Sequence, residues 1–220
     1  MQKDWLIVGD VHGCRAELDA LLAKAEFRPE QTELIFVGDL INKGPDSEGV
    51  LERAVAYNAR MVLGNHETNF LEQARAGTFR PGSMSRVAEQ MGPRLGKWVD
   101  YLERQPFWLI RPQLLVVHAG LHPSLALEDT PPRILTRIRT WGENGLFMDR
   151  EQDPPWYHFY QGDATVVYGH WARAGLVMRE RTIGLDSGCV YGFQLSALRW
   201  PQRELIQVNA FETYVQVPLD

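Results

Sequence analysis

Gly9-Asp10-Val11-His12-Gly13 decides how this chain is read. It follows the short apolar run Trp5–Val8, which reads as a buried strand. It precedes Arg15–Ala25, where Leu18, Leu21 and Leu22 recur at helical spacing. The same order returns twice. Gly38-Asp39 follows a strand over Glu33–Val37, and beyond Gly44-Pro45 an Asp46 cap starts a helix with Val50, Leu51, Ala54 and Val55 on one face. Gly64-Asn65-His66-Glu67 follows a strand over Arg60–Leu63 and leads into a helix over Glu67–Ala76. This βαβαβα order argues for an α/β fold with a parallel or mixed sheet.

Outward from there the pattern changes. Gly77–Gln105 is broken by glycines and prolines and reads as irregular, with one helix through Leu95, Val99 and Leu102. Leu114–Val117 is a fourth strand. A long loop-rich segment over Pro123–Gly162 follows, of the kind that carries function. The last third reads as short strands: Thr165–Tyr168, Thr182–Leu185, Gln194–Trp200, Glu204–Val208 and Thr213–Val217. Helices early and strands late predict a β-sandwich of two mixed sheets flanked by helices. With no repeat or linker in view, residues 1–220 read as a single domain.

Composition narrows the function. The 220 residues are 45% hydrophobic, enough for a sizeable core. A net charge of -5 provides no basic field, so stable nucleic-acid binding is not expected. Two cysteines, Cys14 and Cys189, do not make a disulfide scaffold. No apolar stretch is long enough to span a bilayer, and the N-terminus lacks a signal-like apolar region. The expectation is a cytoplasmic protein with no membrane partner.

Asp10, His12, Asp39, Asn65, His66, His118 (in His118-Ala119-Gly120) and His170 (in Gly169-His170) each stand directly after an apolar run. In α/β sheets the carboxyl ends of strands converge on one binding site. Any one of these residues reads equally well as a turn or capping group. Their coincidence does not.

The set GDxHG, GDxxxxG, GNHE, HxG and GH resembles the PPP-type metallophosphoesterases, which include protein serine/threonine phosphatases and ApaH-type diadenosine tetraphosphatases. The resemblance implies a calcineurin-like fold (α/β/β/α) and two divalent metal ions. Asp10, His12 and Asp39 would hold the first, and Asp39, Asn65, His118 and His170 the second. Mixed N/O ligation suits Mn, Fe, Zn or Co better than Ca; Mn is the expected ion, with Fe, Zn, Co or Mg open. Two metals roughly 3.5–4 Å apart share a hydroxide that attacks phosphorus. His66 would protonate the leaving oxygen.

Where protein phosphatases of the family carry GDxVDRG, this chain carries Asn42 and Lys43. An Asn cannot stabilise imidazolium with a full charge, and a Lys is a point charge, not a fork. That departure, with Thr136-Arg137-Ile138-Arg139, Tyr168-Gly169-His170-Trp171-Ala172 and Leu185-Asp186-Ser187-Gly188-Cys189, is similar to the ApaH/ApaH-like branch. It implies hydrolysis of phosphoanhydride bonds in dinucleoside polyphosphates or related polyphosphates. Asn42 would orient His66, and Lys43, Asn65, Arg139 and, with less weight, Arg137 would bind phosphate. A serine/threonine phosphatase acting on phosphoprotein is the alternative, supported by Glu67 and the short chain. A non-catalytic metal-binding module is a second. Trp156-Tyr157-His158-Phe159-Tyr160 is either a base-stacking surface or packing for the long loop, the latter favoured. His122 and His158 read as surface residues.

Overall fold

The protein is described by a computed structural model over residues 4–145 and 148–216. One sheet has the order β10-β9-β1-β2-β3, built from β1 (Asp4–Val8), β2 (Thr32–Phe36), β3 (Arg60–Met61), β9 (Gln194–Trp200) and β10 (Glu204–Asn209). The other has the order β4-β5-β6-β8-β7, built from β4 (Trp108–Arg111), β5 (Leu114–Val117), β6 (Thr165–Tyr168), β7 (Val177–Met178) and β8 (Thr182–Gly184). Both are mixed. β1, β2 and β3 run parallel in the first, and β5, β6 and β8 run parallel in the second.

The strands alternate between two apolar environments because successive side chains point to opposite faces. Trp5, Ile7, Ile35 and Val37 meet Leu114, Val116, Val167 and Ile183 between the sheets. Leu6, Val8, Leu34 and Phe36 face instead the helices α1 (Arg15–Lys24), α2 (Ser47–Ala56), α3 (Asn65–Arg75), α4 (Ser83–Met91) and α5 (Leu95–Glu103). Leu115, Val117, Val166 and Tyr168 pack on the far side against α6 (Pro132–Arg137) and Trp156. Buried on both faces, these strands read as continuous apolar runs.

Several expectations are corrected. The segment after Gly77 holds two helices. Met84, Val87 and Met91 form the buried face of α4, but the flanking Gly82, Gly92 and Pro93 made it resemble a loop. The loop-rich segment contains α6. The expected Thr213–Val217 strand is absent over its described residues 213–216; Val217 lies outside them. Tyr214 and Val215 N–H instead both donate to the Val190 carbonyl. No helix among the described residues is long and apolar enough to cross a membrane.

Asp46 caps α2 as expected, its carboxylate accepting from Gly49 N–H at 2.8 Å. Asp46→Ala is expected to cost about 1 kcal/mol in urea unfolding.

Candidate metal centre

Each parallel strand delivers residues to one edge of the sandwich. Asp10 and His12 follow β1, Asp39 follows β2, and Asn65 and His66 open α3 just past β3. His118 follows β5, and His170 follows β6. The loops are stitched together by backbone bonds, His12 N to Asp39 O at 2.8 Å and Gly13 N to Leu40 O at 2.7 Å. The two sheets are joined at the site, where His170 N–H donates to Asp10 at 3.0 Å. Gly169 allows this approach, since a Cβ there would stand on the Asp10 carboxylate.

His12, Asp39, Asn42, Lys43 and His170 all have positive φ, between 48° and 75°. A non-glycine residue held there costs of order 1–3 kcal/mol, so surrounding bonds must impose the conformation. Glu67 supplies many of them. Fully buried, its carboxylate accepts from Asp39 N (2.8 Å), Leu40 N (2.8 Å), Ile41 N (3.2 Å) and Gly64 N (2.9 Å). Asp39 in turn accepts from His66 N at 2.9 Å, capping α3, whose own N-cap is the glycine Gly64.

The ring nitrogens are assigned by what their far sides touch. His118 Nδ1 lies 2.9 Å from the Val37 carbonyl, and His170 Nε2 lies 3.1 Å from the Arg137 carbonyl. Each of those nitrogens carries the proton, so His118 Nε2 and His170 Nδ1 present lone pairs. Both point at Asn65 Oδ1, at 3.0 and 2.9 Å, and His118 Nε2 is 3.4 Å from Asp39 Oδ2. With His118 neutral, four acceptors converge with no donor among them, an arrangement that a metal cation, or in its place a proton on His118 Nε2, satisfies. His12 behaves alike. Nδ1 faces the Ile41 carbonyl at 3.2 Å, and Nε2 faces Asp39 Oδ2 at 3.7 Å and the Lys43 ammonium at 3.0 Å. That ammonium stands in for a cation. Asp39 Oδ2 is common to both groups, so the donor set fits two metal ions sharing one carboxylate.

The electrostatics express the same demand. Burial works against charge on His118, yet Asp39, Asp10 and Glu67 push it up to about 10. Burial also opposes charge on Asp39, but His118, His66 and His12 hold it well below the usual carboxylate range. Burial and Lys43 keep His12 neutral, and burial with His118 and Arg139 does so for His170. Neutral imidazole is the form that ligates a metal.

His66 differs. Asn42 Oδ1 accepts from Lys43 N at 2.8 Å, which turns the amide NH₂ toward His66 Nδ1 at 2.7 Å, with Ser83 Oγ at 3.3 Å beyond. Nδ1 is therefore an acceptor, and Nε2 carries the proton, 3.9 Å from Asp39 Oδ2. Burial, with Lys43, His118 and Arg137, pushes the ring down to about 4.

Arg137 is exposed and Arg139 half-buried. The Arg139 charge works against charge on His170, and the Arg137 charge works against charge on His66. Arg139 Nε is buried without a hydrogen-bond partner. Trp156 is 1% exposed and packs on Tyr168, which makes it core rather than a stacking surface. His158 is exposed, and His122 accepts from Ser124 N and Leu125 N. Cys14 and Cys189 are buried and free. Sequence reasoning missed Ser83, because α4 was not recognised, and Asp186, which follows β8 as the other site residues follow their strands.

A profile of the calcineurin-like phosphoesterase family matches residues 5–174. The chain is 31% identical to the symmetrical bis(5'-nucleosyl)-tetraphosphatase of Janthinobacterium sp. (strain Marseille), over 92% of this chain and 94% of that protein. It is 30% identical to the protein of the same name from Erwinia tasmaniensis, over 90% and 94%. A solved structure described as a candidate diadenosine tetraphosphatase superposes with a TM-score of 0.86 at 35% identity, covering 96% of this chain and 95% of that one. A protein serine/threonine phosphatase from Saccharomyces cerevisiae has a TM-score of 0.58 at 17% identity, covering 98% and 81%, and shares the fold.

Glu67→Gln would leave the Asp39 and Gly64 N–H groups, or the other pair, without an acceptor. Urea unfolding of the metal-free protein is expected to lose about 2–6 kcal/mol.

Proposed function

Because the chain belongs to the calcineurin-like metallophosphoesterase family and is a phosphohydrolase, we propose that it hydrolyses a phosphoanhydride bond of dinucleoside polyphosphates such as diadenosine tetraphosphate. Asp10, His12 and Asp39 would hold one divalent metal, and Asp39, Asn65, His118 and His170 the other, with Mn²⁺ the preferred ion and Fe, Zn, Co or Mg able to replace it. Bound there, the metals supply Lewis acidity and a hydroxide nucleophile at neutral pH. Lys43, Arg139 and Arg137, with Asn65, would grip the phosphate oxygens, the guanidiniums two at a time. The partner is a small nucleotide, and the cytoplasm is the compartment this reading assigns.

The observation that carries the choice of bond is the hydrogen bond from Asn42 to His66. An NH₂ facing Nδ1 holds the ring neutral with its proton on Nε2. His66 then offers the leaving oxygen an N–H donor, and a second proton on Nδ1 would break the Asn42 contact. A nucleoside polyphosphate departs as a stabilised anion and needs only that donor. A serine alkoxide needs a full proton, which an imidazolium paired to a carboxylate provides better. The names of the relatives at about 30% identity agree with the first substrate.

With Mn²⁺ added, diadenosine tetraphosphate is expected to be turned over faster than a phosphoserine peptide or inorganic polyphosphate; preference for the peptide would sink the assignment. His66→Asn should slow turnover by about 10²–10⁴-fold while the metal content stays at the wild-type level. Loss of metal along with activity would refute its role. Asn42→Asp should raise turnover of phosphomonoesters with poor leaving groups by about tenfold relative to the dinucleotide, and an unchanged ratio would mean that Asn42 does not set the preference.

A further inference from the structure

Five of the six parallel strands end in a residue of the proposed centre. The sixth is β8, and Leu185-Asp186 follows it. β1 and β8 belong to different sheets, yet their ends touch. A Cβ on Gly9 would lie 2.3 Å from the Leu185 carbonyl oxygen. The residues that follow this contact along each chain are Asp10 and Asp186. Leu185 N–H also donates to the Tyr168 carbonyl at 2.8 Å, which sets Asp186 beside the loop that carries His170.

Asp186 is 6% exposed. One of its oxygens accepts from Gly188 N–H at 3.1 Å, and the other has no hydrogen-bond partner among the described residues. Its charge is the strongest that Asp10 feels, and it also faces Asp39, His118 and Lys43. The ordinary explanation is a turn: Asp186 accepts two residues ahead from Gly188, whose φ is +71°. A turn accounts for the first oxygen. It does not account for a further buried negative charge beside two others, which is costly unless a cation is held there.

We infer that Asp186 is a positioning residue of the metal centre, outside the ligand set, whose free oxygen and charge strengthen cation binding on the Asp10–His12–Asp39 side. The inference rests on the two-metal reading. It adds a residue from the one parallel strand end that reading left unused. Carboxylates placed behind ligands in this way typically change metal affinity by about 10–100-fold.

Asp186→Asn separates the two roles. The amide oxygen still accepts from Gly188 N–H, so the turn is kept while the charge and one acceptor oxygen are lost. The metal-free protein is titrated with Mn²⁺ by calorimetry, bound Mn²⁺ is followed by electron paramagnetic resonance, and the unfolding midpoint is measured without metal. The expected result is an unfolding midpoint no lower than wild type and one of the two Mn²⁺ sites weakened by about 10–100-fold, with loss of the spin-coupled two-Mn²⁺ signal at limiting metal. Asp186→Ser, which retains a short turn acceptor, should weaken the same site if the Asn variant does not fold. Wild-type affinity for both ions in whichever variant folds, or a metal-free midpoint that falls while affinity holds, would leave Asp186 as a turn residue only. A wild-type protein that binds fewer than two Mn²⁺ would overturn the two-metal reading itself, which distinguishes that failure from this one.

Discussion

The carboxylate of Glu67 holds the site's geometry together. Four backbone N–H groups from two loops donate to it, and it is fully buried. Burial pushes its carboxyl up to about 7, with Asp39 adding to the rise and the backbone donors opposing it. Those donors draw the loop after β2 onto the N-terminus of α3. Asp39, Asn42 and Lys43 are thereby held at positive φ, a conformation they would not keep unaided. Asp39 then caps α3 through His66 N–H. One buried side chain thus orders Asp39, the start of the helix that carries His66, and the loop that carries Asn42 and Lys43.

The second constraint is the meeting of two sheets. Each contributes three parallel strands whose carboxyl ends point the same way. The Asp10 bond to His170 N–H crosses between them. On the far side of each of His12, His118 and His170, a backbone carbonyl of another element takes the remaining ring N–H. The inward lone pairs are therefore left to face one another, and a buried cluster of acceptors demands cations. Polarity has been placed where only positive charge, or a proton on His118, relieves it.

Much of this was legible in the chain. Asp10, His12, Asp39, Asn65, His66, His118 and His170 stood after apolar runs, and strands with that pattern deliver their ends to a common edge. The alternation of Leu6 and Val8 with Trp5 and Ile7 marked strands covered on both faces. Less was legible where local signals conflicted. Helix α4 was hidden by flanking glycines and a proline. The tail after Ala210 had the composition of a strand but found its hydrogen bonds on Val190. For Trp156 the sequence left stacking and packing both open, with packing favoured, and the sheet behind it makes it core.

By itself the sequence determined the βαβαβα order of the first third and the residue types that stand at strand ends, because hydrophobic period and turn chemistry are local. It also determined that Asn42, not a carboxylate, partners the catalytic histidine of the proposal. Only the tertiary structure decided which nitrogen of each ring faces the site, that Glu67 binds four amides, and that the Leu185 backbone meets Gly9, one residue before Asp186 and Asp10. Most of these depend on groups far apart in the chain meeting at one point, 24 positions for Asn42 and His66 and 81 for Val37 and His118, and no local pattern carries the direction in which a side chain will find its partner.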